Sequence, residues 1–245
     1  MISGIDFLSV AAEWANQRLA DGGPRYAEYH PEQIIVEPWN ALSSVTMMLP
    51  AVYWLIKDFK ALKHHAFFLF AIVMVFFGGL GSTLFHAFRM SPVFLLLDVL
   101  PSAILTLSLA LFFWLKILKK WWLVVVVILP VFGLRMLLFG QLEGHLAINV
   151  SYALSGALVL VPLLLLLYRT NFFAGFAVLL VLALFALALL FRQLDIHSFE
   201  MLPQGTHFLW HLFSAAGSYF MLYYLFNLRI YEQKKPEIHP AHKFI

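Results

Sequence analysis

The chain has 245 residues, of which 62% are hydrophobic and 12% charged, and its mean hydropathy is +0.87. A composition of that kind excludes an ordinary water-soluble domain. The absence of cysteine excludes a disulfide framework, a thiolate metal site and a cysteine nucleophile, and the net charge of +3 is spread over loops between apolar runs, which argues against nucleic acid as a partner.

The first residues lack the charged n-region and small-residue cleavage site of a signal peptide. Ile5, Leu8, Ala12, Ala15 and Leu19 recur at helical spacing opposite Glu13, Gln17 and Arg18, which predicts a short amphipathic helix lying on the membrane surface. Asp21-Gly22-Gly23-Pro24 ends it. A polar strip from Arg25 to Glu37 follows and carries three carboxylates, Glu28, Glu32 and Glu37.

A membrane-spanning helix takes ~20 apolar residues, and seven such runs follow, roughly 38–56, 65–87, 92–115, 121–139, 146–168, 171–191 and 206–228. The expected fold is therefore all-α: one seven-helix membrane domain over residues 1–245, with 1–37 as an external segment and 229–245 as a cytoplasmic tail. Pro50, Pro101, Pro130 and Pro162 fall inside these runs, where neighbouring helices can satisfy the carbonyls that proline frees. With the N-terminus outside, the inner loops and tail hold eleven of the sixteen Lys and Arg residues. The positive-inside rule then puts the C-terminus in the cytoplasm.

Span counting assigns each polar residue a depth. Span two ends outward at Gly81-Ser82-Thr83-Leu84-Phe85-His86, span three runs inward past Asp98, and span seven begins with Thr206-His207-Phe208-Leu209-Trp210-His211. His207 and His211 are four apart and share a helix face. Ser82, His86, Asp98, His207 and His211 thus belong to one outer-leaflet layer, joined by Glu37 and Asn40 at the start of span one. Three histidines with an open fourth position match a catalytic zinc site that activates water. Asp98 suits a general base or an orienter of a ligand, and Ser82 suits a hydrogen-bond donor to an oxygen gaining negative charge.

Plainer readings compete. One histidine in a span is more often a helix-to-helix hydrogen bond than a ligand. Asp98 could belong to an ion pair, with Arg89 the nearest cation in sequence, and Ser82 sits among Gly78, Gly79 and Gly81, small residues that close helix packing also uses. His145 and His197 read as solvated loop residues.

The motifs resemble the alkaline ceramidases, in particular their bacterial branch, of the seven-helix membrane hydrolase superfamily that includes adiponectin-receptor-like and Per1-like proteins. The matching blocks are Tyr26-Ala27-Glu28-Tyr29 with Glu37-Pro38-Trp39-Asn40-Ala41, then Gly81-Ser82-Thr83-Leu84-Phe85-His86 with Asp98-Val99-Leu100-Pro101, and lastly Thr206 to His211. In the first block Ala27 and Tyr29 replace the family's cysteine and arginine. The resemblance implies zinc held by His86, His207 and His211, a basic or supporting role for Asp98, and substrate or oxyanion contact from Ser82. It implies hydrolysis of the amide of a ceramide-like membrane lipid to a fatty acid and a sphingoid base. It also implies a bacterial cytoplasmic membrane, with the site near the periplasmic leaflet. The eukaryotic members' acidic calcium run is partly matched, which makes Glu28, Glu32 and Glu37 candidates for Ca2+, with hard carboxylate ligands; a cap on the first helix is the competing role for Glu37. Two alternatives stand beside this reading: the same metal site acting on a phospholipid ester or another N-acyl lipid, and a non-enzymatic receptor-like or haem-binding bundle using His86 and His211 as axial ligands.

Overall fold

The computed structural model describes residues 18–57, 65–142, 144–198 and 201–234. The surface helix expected over residues 5–19 lies outside them except for its last two residues, which enter a tight turn where the Leu19 amide donates to the Gly23 carbonyl at 2.9 Å. The described residues form helices and no strand. These are α1 (Pro38–Val45), a 3-10 turn (Thr46–Met48), α2 (Leu49–Lys57), α3 (Ala66–Phe88), α4 (Pro92–Leu118), α5 (Trp121–Gln141), α6 (Gly144–Arg169), α7 (Gly175–Ser198) and α8 (His207–Lys234).

Five of them, α3 to α7, are long and apolar enough to cross a membrane, and the protein is a multi-pass membrane protein. The first apolar run is broken. Pro50 has no amide to offer the carbonyl of Thr46 and its ring crowds that carbonyl, so the chain tightens into the 3-10 turn between α1 and α2.

Packing follows a ring. The α1–α2 segment packs on α3, α3 on α4, α4 on α6, α6 on α7, α7 on α8, and α8 returns to α1 and α2; α5 stands outside, touching α4 and α6. Its isolation shows in its side chains: Val124 and Ile128 are buried, while Val126, Leu129, Met136 and Leu137 are exposed. The apolar core fills the ring's end away from the polar layer, around Trp54, Phe113, Leu163, Tyr224 and Leu228.

Two interior prolines explain local contacts. Pro162 frees the carbonyl of Leu158, and the indole nitrogen of Trp114 on α4 donates to it at 3.0 Å. Pro101 frees the carbonyl of Leu97, and this carbonyl lies where a side chain on Gly81 would be. The backbones of α3 and α4 meet there, and the register places Ser82 beside Asp98, whose carboxylate accepts a hydrogen bond from the Ser82 hydroxyl.

Gly81→Val should force the two backbones apart and cost at least ~1–3 kcal/mol. Gly133→Val on α5 serves as the control, because a Cβ added there would meet nothing within 4 Å. Thermal unfolding in detergent should show a lowered midpoint for the first substitution and an unchanged one for the second.

Candidate metal centre

Two helix starts carry the site, and each is capped by a carboxylate from elsewhere in the chain. At α1, Glu28 accepts the amides of Trp39 and Asn40, both at 2.9 Å. At α8, Asp195 from the end of α7 accepts the amides of Thr206 and His207 through one oxygen, both at 2.8 Å, and that of Ala27 through the other at 2.9 Å. A carboxylate at a helix N-terminus satisfies orphan amides and complements the dipole. Gly205 is required before α8: its φ is +63°, and a Cβ there would overlap the Asp195 carboxylate. Burial pushes the Glu28 carboxyl above the ordinary range, opposed by the two amides it caps.

His86, His207 and His211 are each 2% exposed or less, and their donor atoms lie within 4.8 Å of one another. Two of the three are oriented by other side chains. The Nδ1 of His86 meets Glu37 Oε2, and Glu37 is itself held by Arg89 Nη1 at 2.5 Å and by the Asn40 amide group at 3.3 Å. His211 Nδ1 lies 2.8 Å from Ser43 Oγ, whose proton goes to the Asn40 carbonyl at 3.0 Å. With Ser43 as the acceptor, His211 would carry its proton on Nδ1 and leave the Nε2 lone pair to an ion. Tyr26 closes the group from the N-terminal strip, stacking on His207 with ring centroids 3.8 Å apart.

His207 Nδ1 and His211 Nε2 are buried with no hydrogen-bond partner. Buried polar atoms are normally satisfied, and neutral imidazoles held by hydrogen bonds from behind are the ligands that zinc takes. The residues fit such an ion. They do not fit haem between His86 and His211, because those rings are 4.8 Å apart at their centroids and leave no space for a macrocycle.

Beside the histidines, Ser44 Oγ lies 3.2 Å from Ser82 Oγ, and Ser82 leads on to Asp98. All five residues placed in one layer from the sequence, Ser82, His86, Asp98, His207 and His211, thus share one neighbourhood. Arg89 is not the partner of Asp98; it pairs with Asp21 at 2.5 Å and with Glu37. The three candidate calcium carboxylates are not brought together. Glu28 caps α1, Glu37 holds His86 and Arg89, and Glu32 is exposed and 3.7 Å from His30. His197 is exposed, as expected, but in the last turn of α7 rather than in a loop, and His145 is not a solvated loop residue: it is 3% exposed on α6 and its Nε2 donates to the Arg25 carbonyl at 2.9 Å. Sequence reasoning gave no place in the site to Ser43, Ser44, Asp21, Arg89 or Asp195. The available signal for the serines was Asn40-Ala41-Leu42-Ser43-Ser44, a polar group at one-turn spacing inside an apolar run.

His211→Ala should abolish stoichiometric metal, and Glu37→Gln should weaken metal affinity ~10–100-fold by releasing His86. Metal analysis of the purified protein across a chelator series reads both outcomes; full metal retention in the His211 variant would remove that histidine from the ligand set.

A family model described as Ceramidase matches residues 27–244. No curated protein sequence matches the chain.

Proposed function

The chain belongs to the ceramidase family, and on that premise we propose that it is a zinc-dependent amidohydrolase of the membrane, cleaving the N-acyl amide of a ceramide-like lipid to a fatty acid and a sphingoid base. The observation that carries this reading is the convergence of three buried imidazoles, two with an unpartnered ring nitrogen, beside a hydrogen-bonded Ser82–Asp98 pair. Hydrolysis needs a water nucleophile, a base and a donor to the carbonyl oxygen, and Asp98 and Ser82 suit the last two roles.

The proposed topology has seven spans. The broken α1–α2 segment and α8, a helix of 28 residues and hence ~42 Å long, complete the set begun by the five apolar helices. With the N-terminus outside, the site faces the outer leaflet, near the depth of a lipid amide.

His86, His207 and His211 would hold the ion. The chemistry zinc supplies in such a site is an acidified water and a polarised carbonyl. Asp98 accepts the proton of the attacking water on its carboxylate and returns it to the departing amine nitrogen. Ser82 donates to Asp98 at rest, and with substrate present turns its hydrogen to the carbonyl oxygen as charge develops there. Ser44, within hydrogen-bond reach of Ser82, holds that hydroxyl in place. Tyr26, over His207, limits water access from the outer face.

Asp98→Asn should keep its metal and lose ~10²–10⁴-fold in kcat, and Ser82→Ala should lose ~10²-fold or more. Product detection by mass spectrometry from ceramide, phospholipid and N-acyl amine substrates tests the bond that is cleaved. Release of fatty acid from the phospholipid alone would replace the amide by an ester in this assignment.

A further inference from the structure

The polar strip before α1 has an apolar tip. Between Glu32-Gln33 and Glu37 stand Ile34 and Ile35, 90% and 46% exposed, whereas Val36 beside them is buried and its amide donates to the Ala87 carbonyl at 2.9 Å. That bond lays the tip along the C-terminal end of α3, after which Met90 is 78% exposed. Single apolar residues on a surface are ordinary. Two adjacent isoleucines in a loop, close to an exposed methionine, form a patch, and the mechanism above does not use it.

The patch is continuous with the apolar faces below it. Exposed side chains lead down α1 and α2 through Leu42, Val45 and Leu49, and down α4 through Val93, Leu96 and Leu100. The spacing of three or four residues keeps each series on one helix face, and α4 is one of the helices fit to cross a bilayer. The tip therefore extends a surface that lipid already covers. Its backbone sets a limit on depth. Within the loop the His30 amide donates to the Val36 carbonyl at 2.9 Å and the Gln33 amide to the His30 carbonyl at 3.0 Å, but among the described residues the amides of Ile34 and Ile35 have no hydrogen-bond partner. Irregular backbone with free amides does not enter hydrocarbon, and it is satisfied by water at the headgroups.

We propose that Ile34 and Ile35 form a shallow membrane anchor, with the loop backbone among lipid headgroups and the two side chains dipping into the leaflet on the side of the metal centre. Ile35 lies two residues before Glu37, whose carboxylate meets His86, and the strip that carries the tip also carries Tyr26, stacked on His207. The anchor thus holds the metal centre against the layer in which a lipid amide lies. It rests on the functional reading above only for that kinetic consequence; insertion itself does not depend on it.

The chain has no cysteine, so Ile34→Cys gives one attachment point for an environment-sensitive fluorophore on the full protein in phospholipid vesicles. The emission should be blue-shifted and quenched more by lipids brominated near the head of the acyl chain than by lipids brominated near its methyl end. Glu32→Cys, on the exposed polar side of the loop, should instead be quenched by aqueous iodide. An Ile34 label that emits as it does in water and that neither bromolipid quenches overturns the proposal. So does a blue shift that bromolipids leave untouched and that grows with the protein-to-lipid ratio, which would assign the tip to a second copy of the chain. Replacing both isoleucines by Asp should lower kcat/KM at least ~10-fold in vesicles and leave it unchanged in detergent micelles, where there is no leaflet to enter; an equal loss in both would mean that the loop acts on the fold of the site and would sink the anchor. A quenched label without hydrolysis of any amide overturns the functional reading and leaves the anchor standing; hydrolysis with an unquenched label does the reverse.

Discussion

Glu37 is the joint on which the site depends. One oxygen meets His86 and the other Arg89, and Arg89 passes the connection to Asp21 and to the Pro24 carbonyl at 3.0 Å. A single buried carboxylate thus links the polar strip before α1, the C-terminal end of α3 and one of the three imidazoles. Its position is reinforced by backbone pairing, because the Glu37 amide donates to the His86 carbonyl at 3.1 Å and the Val36 amide to the Ala87 carbonyl at 2.9 Å. Removing one partner from such a network leaves the others charged and dry, which is far costlier than the pair is stabilising.

The same physics explains why the N-terminal strip is part of the site. Helices that start inside a membrane protein leave amides unsatisfied, and water is scarce there. Glu28 and Asp195 meet that need at α1 and α8, the helices that carry Ser43, Ser44, His207 and His211. Through the Ala27 amide, Asp195 also fastens the strip to the bundle, and Tyr26 then lies over the imidazoles.

That Ser82, His86, Asp98, His207 and His211 come together was legible in the sequence because they fall near the ends of long, countable apolar runs. The proline positions were legible as sites of freed carbonyls, and Trp114 on the Leu158 carbonyl realises that expectation. The jobs of Glu28, Asp195 and Arg89 were not legible. Each depends on a partner set by three-dimensional closure, such as the 168-residue separation between Ala27 and Asp195, and no periodicity encodes such a pairing. The acidic strip accordingly looked like a set of hard-cation ligands, and its members are divided among helix capping, histidine orientation and the surface. His145 looked like a loop residue because Glu143-Gly144 precedes it, yet α6 begins at Gly144 and turns it inward.

The ring closes without α5, which only leans on α4 and α6. Random substitution should therefore leave a lopsided record along this chain. Apolar exchanges in α5 will be absorbed with little trace, while α3 and α8 will reject most of theirs. A map of mutational tolerance would separate the helix that merely crosses the bilayer from those that build the site, without any ligand in hand.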